Sequence, residues 1–135
     1  MTAIRVDYDE HRDWGVSTDP SFQQRPYIEV LVAGPARAIR LWCLIDSGAD
    51  YSIFDEDVAT DIGLTVGAGS AITVDGVAGS VDLDRHDDLE LEMEGKLVQQ
   101  CSCLFGSGQH GLVGRADFLS ALDVGFDSTG WLYHT

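Results

Sequence analysis

Leu41-Trp42-Cys43-Leu44-Ile45-Asp46-Ser47-Gly48-Ala49-Asp50 carries an apolar run straight into an acid and then into small and polar residues. The apolar part reads as the end of a buried strand. An acid at that point is unexpected unless something uses it, because an unpaired carboxylate in a low-dielectric setting is costly. The next three residues suit a turn: Ser47 can hydrogen-bond backbone, Gly48 permits a tight bend and Ala49 leaves room for close approach. On chemistry alone such a turn is more often structural than catalytic, so the rest of the chain has to decide.

Upstream, residues 27–32 alternate as a strand, Gly34-Pro35 breaks the pattern, and residues 38–45 form a second strand, so a hairpin delivers the chain to Asp46. Downstream, residues 51–54 read as a short strand. Residues 55–62 place acids where a helix N-terminus welcomes them, with Gly63 as the stop. Residues 71–74 and 80–83 flank the glycine-rich Asp75-Gly76-Val77-Ala78-Gly79, a natural hairpin. Residues 89–94 alternate apolar and acidic side chains, the period of a strand with one wet face. Gly95-Lys96 reads as a turn, and residues 97–105 as a further strand. A second apolar arrival at glycine, Leu112-Val113-Gly114-Arg115, precedes residues 116–122, whose apolar spacing predicts a short helix. Residues 124–127 and 131–133 predict a terminal hairpin across Ser128-Thr129-Gly130. The sum is a mainly β fold with one or two short helices, folded over or closed into a small barrel.

Composition narrows the function. The chain has 135 residues, the size of one ordinary domain, and its mixture of 44% hydrophobic and 23% charged residues is that of a globular protein. Eight Lys and Arg against 23 acids give a formal charge of −15, which argues against nucleic acid or an anionic membrane surface as partner. No apolar run approaches the roughly 18 residues of a membrane span, and residues 1–10 lack the pattern of a secretory signal. Together with three cysteines, a poor basis for a disulfide framework, this points to the cytoplasm. Cys101 and Cys103 share one face of a strand and read as buried small residues rather than as half of a zinc site.

The four histidines, His11, His86, His110 and His134, have no metal-ligand spacing, and no serine-hydrolase or zinc-hydrolase string is present. Asp55-Glu56-Asp57 and Asp87-Asp88 lack EF-hand spacing and read as solvated acidic faces, so neither metal nor cofactor is expected. Trp14, Trp42 and Trp131 read as packing residues. Residues 1–26 are polar and aperiodic, an N-terminal extension that wraps the domain or frays, and the domain proper is residues 27–135.

The string Leu44-Ile45-Asp46-Ser47-Gly48-Ala49-Asp50 resembles the active-site motif of the retropepsin family, the retroviral-type aspartic proteases and their cellular and bacterial relatives. Leu112-Val113-Gly114-Arg115 with Asp117-Phe118-Leu119 resembles that family's second signature, the segment packed beneath the catalytic loop. Asp75 to Gly79 stands where the family has its flap. The order and spacing of all three make the match more specific than any one of them.

The resemblance implies a small closed acid-protease β-barrel that works as a C2 homodimer, since the chain has one such Asp turn where bilobal aspartic proteases have two. It implies an aspartic endopeptidase acting on a protein or peptide held as an extended strand. Asp46 would be the catalytic acid, sharing a proton with Asp46 of a second copy, while Ser47 and Gly48 shape the catalytic turn and the Ser47 hydroxyl bonds across the dimer. Ala49, Asp50, Gly114 and Arg115 would support the site, Asp50 and Arg115 as a charge pair. Asp75, Gly76, Val77, Ala78 and Gly79 would form the substrate-binding flap, and residues 126–133 the dimer interface. The competing expectation is a dimeric binding or scaffold module that keeps the fold without turnover. A metal-binding acidic β domain is a third, which the missing ligand spacing disfavours.

Overall fold

The computed structural model describes residues 3–7, 9–10, 24–25, 27–76, 79–93, 96–126 and 130–134. In chain order the elements are β1 (Ala3–Asp7), β2 (Asp9–Glu10), β3 (Gln24–Arg25), β4 (Tyr27–Ala33), β5 (Ala38–Ile45), β6 (Ser52–Asp55), α1 (Glu56–Ile62), β7 (Ser70–Gly76) and β8 (Gly79–Met93). They continue with β9 (Lys96–Gly106), β10 (Leu112–Val113), a single 3-10 turn at Leu119–Ala121, β11 (Asp123–Phe126) and β12 (Gly130–His134).

β4 and β5 pair antiparallel from Tyr27 opposite Leu44 to Ala33 opposite Ala38, as the Gly34-Pro35 break predicts. Alternation decides which side chains go inside: Ile28, Val30 and Val32 are buried on β4, and Cys43 and Ile45 on β5. Trp42, one position out of phase, lies on the outer side and is 37% exposed. α1 has the ends its sequence dictates. The Asp55 carboxylate caps it by accepting from Asp57 N at 2.9 Å, and Gly63 closes it in the left-handed region at φ 95°. Its inner face buries Ala59 and Ile62.

The main sheet orders its strands β4-β5-β10-β6-β9-β8-β7, and β8 also pairs with β4, from Leu31 opposite Glu92 to Ala33 opposite Glu90. The sheet therefore bends back onto its own first strand. β10 is the short piece that brings the second half of the chain to the first. It lies parallel to β5, with Val113 opposite Ile45, and antiparallel to β6, with Leu112 opposite Ile53. Inside sit Phe54 and Phe105, with ring centroids 5.9 Å apart, and also Leu91, Met93, Val113 and Phe118.

Three sequence expectations need correction. The strands expected at 80–83 and 89–94 are one continuous strand, β8, because Asp84, Arg85 and His86 keep pairing with β9 although their polar side chains hide the period. A register irregularity between His86 and Leu89, with Asp88 at φ 62°, absorbs the acidic pair. The helix expected at 116–122 is only a 3-10 turn. Asp117 adopts φ 66°, which breaks helical progression, and its carboxylate accepts from Ser102 N on β9 instead. Within the stretch that reads as aperiodic, Ala3–Asp7 forms a strand that pairs with β12, giving a separate three-stranded sheet ordered β1-β12-β11. The Ala-Ile-Arg-Val-Asp alternation there is strand-like, and the polar residues after it hide it.

Candidate active site

β5 ends at Ile45, and Asp46 N continues its ladder by donating to Val113 O on β10 at 3.0 Å. The chain then turns: Ala49 N donates to Asp46 O at 3.2 Å, and Gly48 N donates to Asp46 Oδ1 at 2.9 Å. The Asp46 carboxylate is half-buried and oriented by a backbone N–H, and a Cβ on Gly48 would stand 3.2 Å from that same oxygen. Charge-assisted bonds of this kind hold a carboxylate in one rotamer. Ser47 and Gly48 are exposed.

The loop is fastened from below by the segment after β10. Arg115 N donates to Ala49 O at 2.9 Å and Ala116 N to Asp50 O at 2.7 Å, while Gly114 N donates to the buried Ser52 hydroxyl at 3.1 Å. Arg115 Nη2 meets Asp50 Oδ1 at 2.6 Å. Ala49, Asp50, Gly114 and Arg115, the residues singled out in sequence as supports, are thus brought together around the turn.

Above the loop stands the hairpin of β7 and β8, paired from Ser70 opposite Arg85 to Gly76 opposite Gly79. Val77 and Ala78, the expected tip, lie outside the described residues, so the hairpin is described from Asp75, Gly76 and Gly79 alone. Between β7 and the loop lies a cleft of about 520 Å³, with Asp46 and residues 48–51 on one wall, Ile72 to Asp75 on the other, and Leu104 and Leu112 between them. Asp75 accepts a hydrogen bond from the Ser80 hydroxyl at 2.5 Å, and Asp50 is engaged by Arg115, so that among the described residues Asp46 is the acid of the cleft held by its own turn. A neighbouring, mostly apolar hollow of about 250 Å³ shares Leu112 and is bounded by Tyr27, Leu44 and Gln109.

One group is not legible in the sequence. Arg85 on β8 donates from Nε to Asp87 Oδ1 at 2.8 Å, from Nη2 to the Ser102 hydroxyl at 3.3 Å and from Nη1 to the Tyr51 hydroxyl at 3.4 Å. Ser102 is 8% exposed and donates in turn to Asp87 at 2.7 Å. The Ser102 hydroxyl, and after it Arg85, hold the Asp87 carboxyl below the ordinary carboxylate range. In sequence Asp87 reads only as part of a solvated acidic face. The available signal is a lone arginine in an acid-rich stretch and a serine set between two buried cysteines.

Among the described residues, no group of three or more His, Cys, Asp or Glu is placed to hold a metal ion, and no helix is long and apolar enough to cross a membrane. His86 instead hydrogen-bonds Asp84 through Nε2 at 2.6 Å, with both side chains largely covered.

A family model described as aspartyl protease matches residues 28–116. The chain belongs to this retropepsin-like aspartyl protease family. The matched stretch starts inside β4, spans the Asp46 loop and the β7–β8 hairpin, and stops one residue after Arg115, so every segment that surrounds the cleft falls within it. No curated protein matches the chain significantly.

Proposed function

We propose that the protein is an aspartic endopeptidase that hydrolyses peptide bonds as a homodimer. The observation that carries this reading is the Asp46 carboxylate, fixed by Gly48 N at the end of β5, whose inner face is buried, and opening onto a cleft walled by a β hairpin. A peptide laid in this cleft as an extended strand would meet backbone from β7, with pockets on either side for its side chains.

One carboxylate is half of the chemistry. Two carboxylates at hydrogen-bonding distance cannot both ionise, so Asp46 and Asp46 of a second copy share one proton. The ionised member takes a proton from a water, which attacks the carbonyl. The protonated member stabilises the oxyanion and then protonates the leaving amine. Activity is lost when the shared proton is lost, which gives a preference for acidic to neutral pH.

A second copy has a seat. Exposed Ser47 borders a shallow hollow of about 250 Å³ formed with Arg115, Leu119, Leu122, Val124 and Phe126, and Phe126 is 45% exposed. An apolar patch beside the catalytic turn suits an isologous contact, in which one surface meets itself. We read the main sheet as a small closed barrel, supported by the β8–β4 pairing, and the β7–β8 hairpin as a flap. We place the protein in the cytoplasm, where its three free thiols would stay reduced.

The test combines sedimentation with peptide-library cleavage for the wild type, Asp46→Asn and Phe126→Asp. A dimer that cleaves, a dimer that does not, and a monomer that does not are the expected results in that order. Cleavage that survives Asp46→Asn overturns the mechanism. Dimers that bind a partner and cleave nothing in either form would establish the scaffold alternative.

A further inference from the structure

We propose that Arg85 is a positioning residue that sets substrate choice by holding Tyr51 as a fixed aromatic wall of the cleft; this rests on the reading of the cleft as a peptide site. Tyr51 lines the cleft directly after Asp50 and is half-buried. The Arg85 guanidinium carbon lies 5.5 Å from its ring centroid, within the range of a cation–π contact, and Nη1 reaches its hydroxyl. Neither contact is strong alone, the hydroxyl bond being 3.4 Å long. They become effective because Arg85 is anchored at two further points: Nε donates to Asp87 and Nη2 to Ser102, which closes the triangle by donating to Asp87. A planar guanidinium with its donors committed in this way is a rigid plate.

The geometry separates choice from chemistry. Among the described residues this network makes no hydrogen bond to Asp46; it meets the catalytic loop through Tyr51, while Ser102 N bonds Asp117 in the segment beneath that loop. Asp46 is oriented independently by Gly48 N and Val113 O. Freeing the Tyr51 ring would therefore leave the reacting carboxylate held but would make the wall mobile. An extended peptide that places a flat or apolar side chain against Tyr51 would then have to immobilise the ring on binding. A peptide with glycine at that position would not. Ordering one such side chain corresponds to roughly a two- to tenfold loss of affinity. The substrate class implied is an extended peptide with an aromatic or large apolar residue at the position facing Tyr51.

The experiment uses fluorescently labelled peptides, varied one position at a time, and measures their affinity by anisotropy for the full-length Asp46→Asn protein, which holds peptides without turning them over. Tyr51→Ala first identifies the position at which an aromatic residue is preferred to glycine. Arg85→Gln is then expected to reduce that preference by about two- to tenfold, Arg85→Lys to restore part of it, and the Tyr51 ring resonances to shift in Arg85→Gln. Ser102→Ala, which keeps the cation but removes one of its anchors, should lower the preference in the same direction and serves if Arg85→Gln does not fold. Three results would overturn the proposal: no position that depends on Tyr51, an undiminished preference without Arg85, or an equal affinity loss for every peptide. If the Arg85-dependent preference is found while the wild type cleaves none of the peptides, the proposal stands and the hydrolysis falls. Cleavage with a preference blind to Arg85 gives the reverse.

Discussion

A Cβ atom on Gly114 would stand 2.8 Å from the Ala49 carbonyl oxygen and closer still to that of Tyr51, so the backbone after β10 lies directly against the Asp46 loop. Both obstacles are backbone and neither can rotate away. Gly114→Ala is expected to cost about 1–3 kcal/mol, the range for overpacking a well-filled site, and to push Arg115 N and Ala116 N off the carbonyls of Ala49 and Asp50. A urea titration measures the first effect. Peptide cleavage measures the second, which should exceed what the lost stability explains, because the displaced segment also fixes the Asp46 turn.

The Asp50–Arg115 ion pair is a different kind of support. At 2.6 Å it is short, yet the two side chains are 77% and 60% exposed, and surface pairs contribute at most about 1 kcal/mol. Asp50→Asn should therefore lower the urea midpoint slightly, and less at high salt. The backbone bonds from Arg115 and Ala116 do the tying, and the pair trims it. A loss from Asp50→Asn as large as that from Gly114→Ala would contradict this ranking.

Both supports are written locally in the chain, and so is most of the site. Asp46, Gly48, Ala49, Asp50, Gly114 and Arg115 are legible because each is a short-range signal: an acid ending an apolar strand, glycines at arrivals, one cation after a glycine. The β4–β5 hairpin and α1 are legible for the same reason, since alternation and capping are encoded within a few residues. The continuity of β8 through Asp84, Arg85 and His86 is not, because pairing with β9 decides it and the side chains carry no period. Nor is the break at Asp117, where a bond to Ser102 N, 15 residues away, outweighs helical spacing. The Arg85 network fails to show for the most general reason: Tyr51, Arg85 and Ser102 meet only after three strands are in place.

Asp87 gives that network a pH signature. Its folded carboxyl is held low by the Ser102 hydroxyl and by Arg85, with Arg85 and His86 as the nearby cationic or titrating groups on β8 and Ser102 and Asp117 facing from other elements. A depressed folded value means that its contribution is fully present above the unfolded carboxylate pKa and is lost as pH falls through the lower folded value. The wild type should thus be more stable than Asp87→Asn at neutral pH. The gap should stay open down to the ordinary carboxylate range and close only below it. Thermal melts of both proteins at a series of pH values check this, and a gap that closes above that range would show that Asp87 is not held low.

Cys43, Cys101 and Cys103 offer a probe of the strands themselves. Burial pushes all three thiols up, Cys101 to about 11 with Asp117 adding to it, and none is more than 1% exposed. The thiolate is the reactive form, so at mildly alkaline pH each is doubly protected, by protonation and by the lack of a path for the reagent. Native protein is expected to resist a thiol-reactive disulfide or maleimide, and all three cysteines to react once denaturant is added. Read residue by residue in a mass spectrometer, labelling at Cys43 then follows the opening of β5, the strand that delivers Asp46, and should speed up in Gly114→Ala by about tenfold for each ~1.4 kcal/mol of stability that variant loses. Native Cys43 reacting at the rate of a free thiol would place it outside the core and would remove the buried face of β5 from beneath the Asp46 turn.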